Sequence, residues 1–362
     1  MKYLVTGGCG FVGAALCHRL RAESAENNVT VIDNHRRRGS ESNRAALERI
    51  GVRVVHGDVR LPSDIDAVGP FDWVIDAAAE PSVLAGTGTT ARGATRLQLV
   101  EHNLVGTINL LEAAAGWNSG VAILSTSRVY SIPAMVKLPL VETCDGAGMP
   151  AFQLDVSQPL PAGASGEGIA EQFDTSAPVS LYGATKLASE LLAQEYAFAA
   201  GTPLIIDRCG VMAGAGQFGR TDQGIFSWWI HSWAAKRPLS YIGFGGRGLQ
   251  VRDCLHPADL GDLLVRQLAA ARGGVPELMN VSGGIASARS LAQLSNWCAG
   301  RFGPHPVGSA SETRPYDLAW VALDHGLVTH KYGWKPARVP EAIFEEIAEH
   351  ALRNPFWLHN CG

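Results

Sequence analysis

The stretch Tyr182-Gly183-Ala184-Thr185-Lys186 places a tyrosine and a lysine four residues apart. On a helix, positions i and i+4 lie on one face, so the two side chains would be neighbours. A free tyrosine has a pKa of about 10, too high for a base at neutral pH, and a nearby ammonium favours the phenolate. The pair therefore predicts a tyrosine base. The alternative is an accidental pair on a solvated helix.

A cluster of hydroxyl groups gives this tyrosine a candidate partner. Ser125-Thr126-Ser127 closes an apolar run at 121–125 that is typical of a strand. A hydroxyl at the end of this strand would hold a substrate oxygen while Tyr182 takes its proton. The combination favours a catalytic role for Tyr182 over an accidental pair.

Near the beginning, glycines stand at 7, 10 and 13, after a predicted strand and before a predicted helix. A tight turn, a close backbone approach to pyrophosphate and close helix–strand packing each exclude a β-carbon. Asp33 closes the second strand, where a carboxylate accepts hydrogen bonds from adenosine ribose. These features predict a dinucleotide site. Its expected residues are Gly7, Gly10, Phe11, Val12, Gly13, Asp33, Asn34, Arg38, Asp58, Val59, Ala77, Ala78, Ala79, Asn103, Tyr182 and Lys186.

Two details of this site have alternatives. Asp33 would repel a 2′-phosphate and so favours NAD over NADP, whereas Arg36, Arg37 and Arg38 would attract such a phosphate unless they form a solvated loop. NAD is the predicted cofactor. Asn103 falls in a helical stretch, where an ordinary polar residue is the alternative to a cofactor contact.

The candidate catalytic and cofactor-binding residues lie in a region where predicted strands and helices alternate. Strands are predicted at 2–6, 29–32, 52–55, 73–76, 121–125 and 203–207, with helices at about 95–115 and 183–200 among those between them. Alternation of this kind implies right-handed βαβ crossovers and a parallel sheet covered on both faces. The predicted fold class is α/β, with a Rossmann-type doubly wound parallel sheet and a smaller α/β substrate-binding lobe.

The regular alternation stops in the second half of the chain. We expect an NAD-binding domain at 1–210 and a mainly substrate-binding lobe at 211–362, with about 251–272 packing back on the first domain. Residues 143–172 are rich in Gly, Pro, Ala and Ser and interrupt the first domain. Loops of this length are usually functional lids or disordered segments.

Composition excludes several other classes of protein. The net charge of −4 gives no reason to expect a nucleic-acid partner. Seven cysteines without a C-x-x-C pair argue against a zinc site or a disulfide scaffold, and no metal is expected. No secretory signal and no apolar run of roughly 18 residues is present, so the expectation is a cytoplasmic protein without a membrane partner.

In this order, the glycine turn, Asp33, the hydroxyl cluster and Y-x-x-x-K resemble the extended short-chain dehydrogenase/reductase family. The resemblance implies that Thr126 is the catalytic hydroxyl and Tyr182 the base. It also implies that Lys186 binds the nicotinamide ribose and tunes Tyr182, and that the protein is a homodimer or homotetramer. Nucleotide-sugar 4,6-dehydratases of this family follow the threonine with an Asp-Glu pair. Here Ser127 and Arg128 follow, which argues against dehydration and leaves reduction and epimerisation.

The second half resembles one group of this family, the CDP-paratose (CDP-tyvelose) 2-epimerases. The matching stretches are Gln217-Phe218, Asp222-Gln223-Gly224 and Gln250-Val251-Arg252-Asp253. The resemblance implies that Arg252 grips a pyrophosphate and that Arg314 is a second clamp. A planar, permanently charged guanidinium suits paired phosphate oxygens, and a surface arginine is the alternative for each. The expected substrate-binding residues are Ser127, Gln217, Gln223, Arg252 and Arg314.

The leading hypothesis is an NAD-dependent nucleotide-sugar epimerase, acting at C2 of a CDP-linked hexose through a transient keto intermediate. A nucleotide-sugar dehydrogenase or ketoreductase that uses free NAD(P)H is the second hypothesis. A non-catalytic NAD-binding regulatory protein is the third. Proteins of that last kind usually lack the tyrosine or the lysine, and this chain has both.

Overall fold

The computed structural model describes residues 1–85, 94–220, 223–273, 275–312 and 314–361. The strands are β1 (Lys2–Thr6), β2 (Asn28–Asp33), β3 (Arg53–His56), β4 (Trp73–Asp76), β5 (Gly120–Thr126), β6 (Leu140–Cys144), β7 (Pro150–Leu154), β8 (Ala164–Ser165), β9 (Gly168–Ile169), β10 (Leu204–Cys209), β11 (Leu239–Ile242), β12 (Val251–Arg252), β13 (Glu277–Val281), β14 (Arg289–Ser290), β15 (Val307–Ala310) and β16 (Trp320–Val321). The helices are α1 (Phe11–Glu23), α2 (Glu41–Arg49), α3 (Pro62–Asp66), α4 (Arg96–Val100), α5 (Gly106–Trp117), α6 (Ile132–Val136), α7 (Ser180–Ala200), α8 (Ile225–Ala234), α9 (Pro257–Ala270), α10 (Leu291–Phe302), α11 (Gly326–Tyr332), α12 (Pro340–Arg353) and α13 (Trp357–Cys361).

The described residues form a seven-stranded parallel sheet in the order β13-β10-β5-β4-β1-β2-β3. The chain runs outward from β1 to β3 and then crosses to β4 on the other side of β1. Ligands of open α/β sheets bind at the carboxyl ends of the strands beside such a reversal. The α/β Rossmann-type prediction is confirmed.

The central strands are mostly apolar and buried because helices cover both faces of the sheet. On one face Val5 and Val31 pack with Leu16 of α1 and Leu260 of α9, all of them buried. The other face buries Leu4, Ile32 and Val74 with Leu110 of α5. Each fully buried aliphatic side chain contributes about 1.5–3 kcal/mol, so the sheet edge that carries the site is held rigidly.

A second layer is built on helices α8, α10 and α12. Its core contains Phe226 and Trp229 of α8, Leu294 of α10, and Phe344 and Ile347 of α12. Strand β11 pairs with β15, and β12 pairs with β14 and β16. In contrast, α9 packs on α1, and β13 extends the main sheet.

Residues 143–172 contain regular secondary structure. They include most of the antiparallel hairpin β6–β7 and all of the hairpin β8–β9. The Phe152 amide donates to the Leu249 carbonyl at 3.0 Å, and the Ile169 amide donates to the Ala322 carbonyl at 3.0 Å. The excursion is therefore fixed against the second layer, because its backbone groups find partners there.

The helix predicted at about 95–115 has three parts. Between α4 and α5 lies a π-helix at Glu101–Val105, and it turns Asn103 into the protein interior. π-Helical turns are rare and often lie at functional sites. Within the described residues, no helix is both long and apolar enough to cross a membrane.

Candidate active site

The glycine turn joins the end of β1 to the beginning of α1. A β-carbon on Gly13 would lie 2.4 Å from the Gly7 carbonyl oxygen, so the turn and the helix can approach only without one. Gly10 precedes α1, and no side chain caps its first amides. Uncapped N–H groups at a helix N-terminus suit a phosphate. These residues line a cleft of about 930 Å³ at the carboxyl edge of the sheet.

The cleft gathers nearly all of the predicted cofactor residues. Among those that line it are Gly7, Gly10, Phe11, Val12, Gly13, Asp33, Asn34, Arg38, Asp58, Val59, Ala77, Ala78, Ala79, Tyr182 and Lys186. The donors and acceptors that a dinucleotide needs are thus present on one surface, so the residues fit NAD.

Asp33 and Asp58 are each fixed by hydrogen bonds. The Asp33 carboxylate accepts the amides of Cys9, at 2.9 Å, and His35, at 2.8 Å. Asp58 accepts the Arg60 side chain at 2.7 Å and the Asn34 amide at 3.0 Å. The hydrogen bonds from Arg60 hold the pKa of Asp58 well below its usual range. Both carboxylates are therefore oriented by hydrogen bonds at the wall of the cleft.

Asn103 requires a correction, because it does not line the cleft in the described structure. It is fully buried behind the cleft wall, and its side chain oxygen accepts the Glu80 amide at 2.7 Å. Its side chain nitrogen donates to the Glu80 carbonyl at 3.1 Å and lies 3.4 Å from the Thr185 hydroxyl. Asn103 thus positions Glu80, which does line the cleft.

Contacts near Phe218 close the cleft on its outer side. Arg37 donates across the cleft to the Phe218 carbonyl. The Phe218 ring stacks on Trp357 of α13 at 5.6 Å between centroids, and the Trp357 indole donates to the Gln217 carbonyl at 2.9 Å. The walls of the cofactor cleft are therefore joined by direct contacts.

Tyr182, Thr126 and Lys186 meet at the inner end of the cleft. Thr126 is the last residue of β5, and Tyr182 lies in the first turn of α7, with Lys186 one turn further. The Thr126 and Tyr182 side chains both line the cleft, and the Thr126 hydroxyl favours the ionised form of the Tyr182 phenol. All three line the cleft, so a proton acceptor, a hydroxyl and an ammonium share one surface.

Burial governs the ionisation of Tyr182. It raises the pKa of Tyr182 to about 12, and the Thr126 hydroxyl opposes this increase. Cys209 and Glu80 raise the pKa further, whereas the charge of Arg128 lowers it. A cation beside the phenol favours its ionised form, and an oxidised nicotinamide adds such a charge.

A buried ion pair supports the strand ends from below. Arg208 of β10 and Glu190 of α7 are 2.7 Å apart, and their side chains are 6% and 2% exposed. Ser125 of β5 also donates to Glu190. A buried pair is stable only when its remaining polar atoms are satisfied, and here these bonds join three elements around Thr126 and Tyr182.

A second cavity of about 450 Å³ opens on the other side of Tyr182. Thr126, Tyr182 and Gln223 line both this cavity and the cofactor cleft. Its lining includes the apolar side chains of Leu239, Ile242 and Leu294. A second ligand with an apolar end would therefore reach the same phenol that faces the dinucleotide.

The second cavity also holds most of the predicted substrate residues, namely Ser127, Gln223, Arg252 and Arg314. Arg252 donates to Asp317 and to the Val251 carbonyl, each at 2.7 Å, which orients its guanidinium. Gln217 requires a correction, because it lines the cofactor cleft and not this cavity, and its amide donates to the Met212 carbonyl at 2.8 Å. Asp222 lies outside the described residues.

The sequence did not assign a role to Arg128, Glu80 or Trp228, which all line these cavities. The sequence marks Arg128 as unusual, because dehydratases of the family that this chain resembles have an acid at this position. Nothing in the sequence distinguishes Trp228 from its neighbour Trp229, which is a core residue of the second layer.

The comparisons with known proteins agree with this geometry. A model described as the NAD dependent epimerase/dehydratase family matches residues 3–282. CDP-paratose 2-epimerase from Salmonella typhi is 30% identical over 93% of this chain and 95% of that protein. dTDP-L-rhamnose 4-epimerase from Burkholderia thailandensis is 30% identical over 92% of this chain and 90% of that protein.

A solved structure supports the fold. UDP-glucuronic acid 4-epimerase from Bacillus cereus, in complex with UDP-glucuronic acid and NAD, has a TM-score of 0.77 and 22% identity. The match covers 98% of this chain and 99% of that chain. Because the family model matches most of the chain, including the glycine turn, Thr126, Tyr182 and Lys186, the chain belongs to the NAD dependent epimerase/dehydratase family, and NAD is its cofactor.

Proposed function

We propose that this protein is a nucleotide-sugar epimerase that retains NAD and inverts C2 of a CDP-linked hexose through a transient keto sugar. One observation carries the proposal: the cofactor cleft and the second cavity meet at Tyr182 and Thr126. A sugar carbon placed there would lie between a proton acceptor and the nicotinamide side of the cleft. Bound NAD supplies the acceptance and return of hydride.

The chain's own groups move and hold the proton. Tyr182, as the phenolate, takes the proton of the sugar hydroxyl while the Thr126 hydroxyl holds the same oxygen. After the keto sugar has presented its opposite face, Tyr182 returns the proton to the oxygen. No net oxidation occurs, so each proton taken is given back and the protein ends in its starting state.

The second cavity supports a nucleotide sugar as the substrate. Arg252 and Arg314 line the same cavity as Tyr182 and the apolar side chains Leu239 and Leu294. Guanidinium groups bind pyrophosphate through paired hydrogen bonds, and apolar side chains accept a flat base. CDP and C2 rest on the similarity to the Salmonella typhi enzyme, and the equally identical 4-epimerase defines the competing substrate.

Ser127 and Arg128 after Thr126 favour epimerisation over dehydration. Loss of water needs an acid and a base beside the reacting carbons. At these two positions the chain has a hydroxyl and a guanidinium, which supply neither a carboxylic acid nor a carboxylate. The alternative that remains is an oxidoreductase that exchanges its cofactor with free NAD(P)H.

We also propose a homodimer or homotetramer. Leu191 and Phe198 of α7 are 62% and 79% exposed, and residues seven apart lie on one face of a helix. Leu97 of the adjacent α4 is 66% exposed. A second copy of this chain would remove this apolar face from water.

The test uses purified protein without added cofactor. Mass spectrometry of copurifying ligands identifies the dinucleotide, and the protein is then incubated with CDP-paratose, CDP-tyvelose or dTDP-L-rhamnose. We expect interconversion of the two CDP-sugars, with none in the Tyr182→Phe protein. Accumulation of NADH in proportion to substrate would instead support the oxidoreductase, and turnover of the dTDP-sugar alone would overturn the assignment of CDP and C2.

A further inference from the structure

Arg128 lies directly against the catalytic pair. It follows β5 in a single helical turn at Ser127–Val129, and its amide donates to the Thr126 hydroxyl at 3.2 Å. A β-carbon on Gly183 would lie 2.2 Å from the Arg128 carbonyl oxygen. The backbone of Arg128 is therefore packed between the end of β5 and the first turn of α7, next to Tyr182.

The side chain of Arg128 is held from the opposite side of the cavity. Its guanidinium donates to the Tyr316 carbonyl at 3.2 Å. Arg128, Tyr182 and Arg252 line the same cavity. Asp317, an acid that also lines this cavity, is already paired with Arg252. The charge of Arg128 is therefore not neutralised by an ion pair of its own among the described residues.

Several charged or titratable groups face Tyr182 from the surrounding elements. Lys186 lies on its own helix, Glu80 follows β4, Cys209 ends β10 and Arg128 follows β5. Glu80 and Cys209 disfavour the phenolate. Arg128 favours it from the substrate side, whereas Lys186 lies on the side of the cofactor cleft.

We propose that Arg128 is a positioning residue that stabilises the Tyr182 phenolate from the substrate side. This inference rests on the proposed function only in taking Tyr182 as the base. A guanidinium at this position favours ionisation of the phenol, whereas a carboxylate there would oppose it. Burial and Arg252 lower the pKa of Arg128 to about 10, so it stays charged at neutral pH.

The test is a tyrosinate titration by ultraviolet difference absorbance on the NAD-loaded protein. The Tyr182→Phe protein serves as the blank that isolates Tyr182. Arg128→Met keeps much of the aliphatic packing and removes the charge, and Arg128→Lys keeps the charge. Arg44→Gln removes a guanidinium from exposed α2 and is the matched control.

We expect Arg128→Met to move the Tyr182 titration upward by about one pH unit or more, since the variant removes a positive charge that lines the same cavity as the phenol. Arg128→Lys should shift it less, and Arg44→Gln should not shift it. A titration of Arg128→Met that matches the wild type would overturn the proposal. If Arg128→Met does not fold, Arg128→Gln replaces it, because it also removes the charge, and a Tyr182 titration in Arg128→Gln that matches the wild type contradicts the proposal.

The titration needs no turnover, so its outcome is independent of the sugar. Failure of every nucleotide sugar to react would refute the proposed function and leave the Arg128 result standing. Where turnover is measurable, the acidic limb of the kcat profile should move to higher pH in Arg128→Met. A loss of affinity for substrate with an unchanged limb would mean that Arg128 binds substrate instead.

Discussion

Arg208 and Glu190 form an ion pair that is almost fully withdrawn from water, with 2.7 Å between Nη2 and Oε2. The pair lies beneath Thr126 and Tyr182 and joins β10 to α7. Removing one partner would leave an unpaired buried charge. We expect Glu190→Gln to lower the free energy of unfolding by about 3–5 kcal/mol.

Urea denaturation of Glu190→Gln, Arg208→Met and the double variant would measure this effect. The double variant should be more stable than the sum of the single losses predicts, because neither charge is left alone. Strictly additive losses would show that the two side chains do not stabilise each other.

Asp207 is a buried carboxyl whose pKa is raised to about 7, chiefly by burial. Because the folded pKa exceeds the unfolded value of about 4, stability is lost as pH rises from about 4 to 7, by roughly 4 kcal/mol in all. Asp207→Asn should remove this pH dependence of the free energy of unfolding and make the protein more stable above pH 7. The amide would also offer a donor toward Gln267, whose Oε1 has no partner among the described residues.

Thermal unfolding of Asp207→Asn at several pH values would check this pH dependence. The matched control is Asp66→Asn, which changes an exposed acid at the end of α3. If stability changed equally between pH 4 and 7 in Asp207→Asn and in the wild type, the raised pKa of Asp207 would not be the cause of the pH dependence.

Gly13→Ala should release the cofactor. Its new methyl group would lie 2.4 Å from the Gly7 carbonyl oxygen, so the turn must shift where phosphate is expected to bind. Gly116→Ala in α5 is the control, because its methyl group meets nothing within 4 Å. Absorbance and mass spectrometry of the purified proteins should find much less NAD in Gly13→Ala and full occupancy in Gly116→Ala, which would also gain up to about 1 kcal/mol of stability.

Arg252→Gln should weaken nucleotide diphosphate binding about 10- to 100-fold, since a hydrogen bond to a charged group is worth about 1.5–3 kcal/mol. Calorimetry with CDP and UDP measures the affinity without any reaction. Arg301→Gln, which removes a surface ion pair with Glu345, is the control and should bind as the wild type does. Unchanged affinity in Arg252→Gln would remove Arg252 from the pyrophosphate site.

Phe198→Glu should separate the proposed oligomer, because it places a charge on the exposed apolar face of α7. Light scattering after size exclusion measures the mass. Glu195→Gln on the same helix is the control. A monomeric wild type, or an unchanged mass in Phe198→Glu, would place the subunit contact elsewhere or remove it.

The sequence predicted those parts of the site that depend on local geometry. The glycine turn and the Tyr182–Lys186 pair are each set within one turn and one helix, so spacing alone is informative. Asn103 was misplaced because its direction depends on a π-helix, which no periodicity reveals. Gln217 was misplaced because the fold of the loop after β10 decides which cavity it faces.

Long-range contacts explain the other differences. Residues 143–172 look like a lid in composition, yet they are held by Leu249 and Ala322, which are far away in the chain. Arg128 could be singled out as unusual, but its contact with Tyr316 and its position beside Tyr182 follow only from the tertiary structure.

The contacts that close the outer side of the cofactor cleft have a kinetic consequence. Arg37 bonds to Phe218, and Phe218 stacks on Trp357, so a dinucleotide leaves that side only if these contacts part. The steady-state rate law would then contain the concentration of one ligand, the nucleotide sugar, and NAD would behave as a prosthetic group.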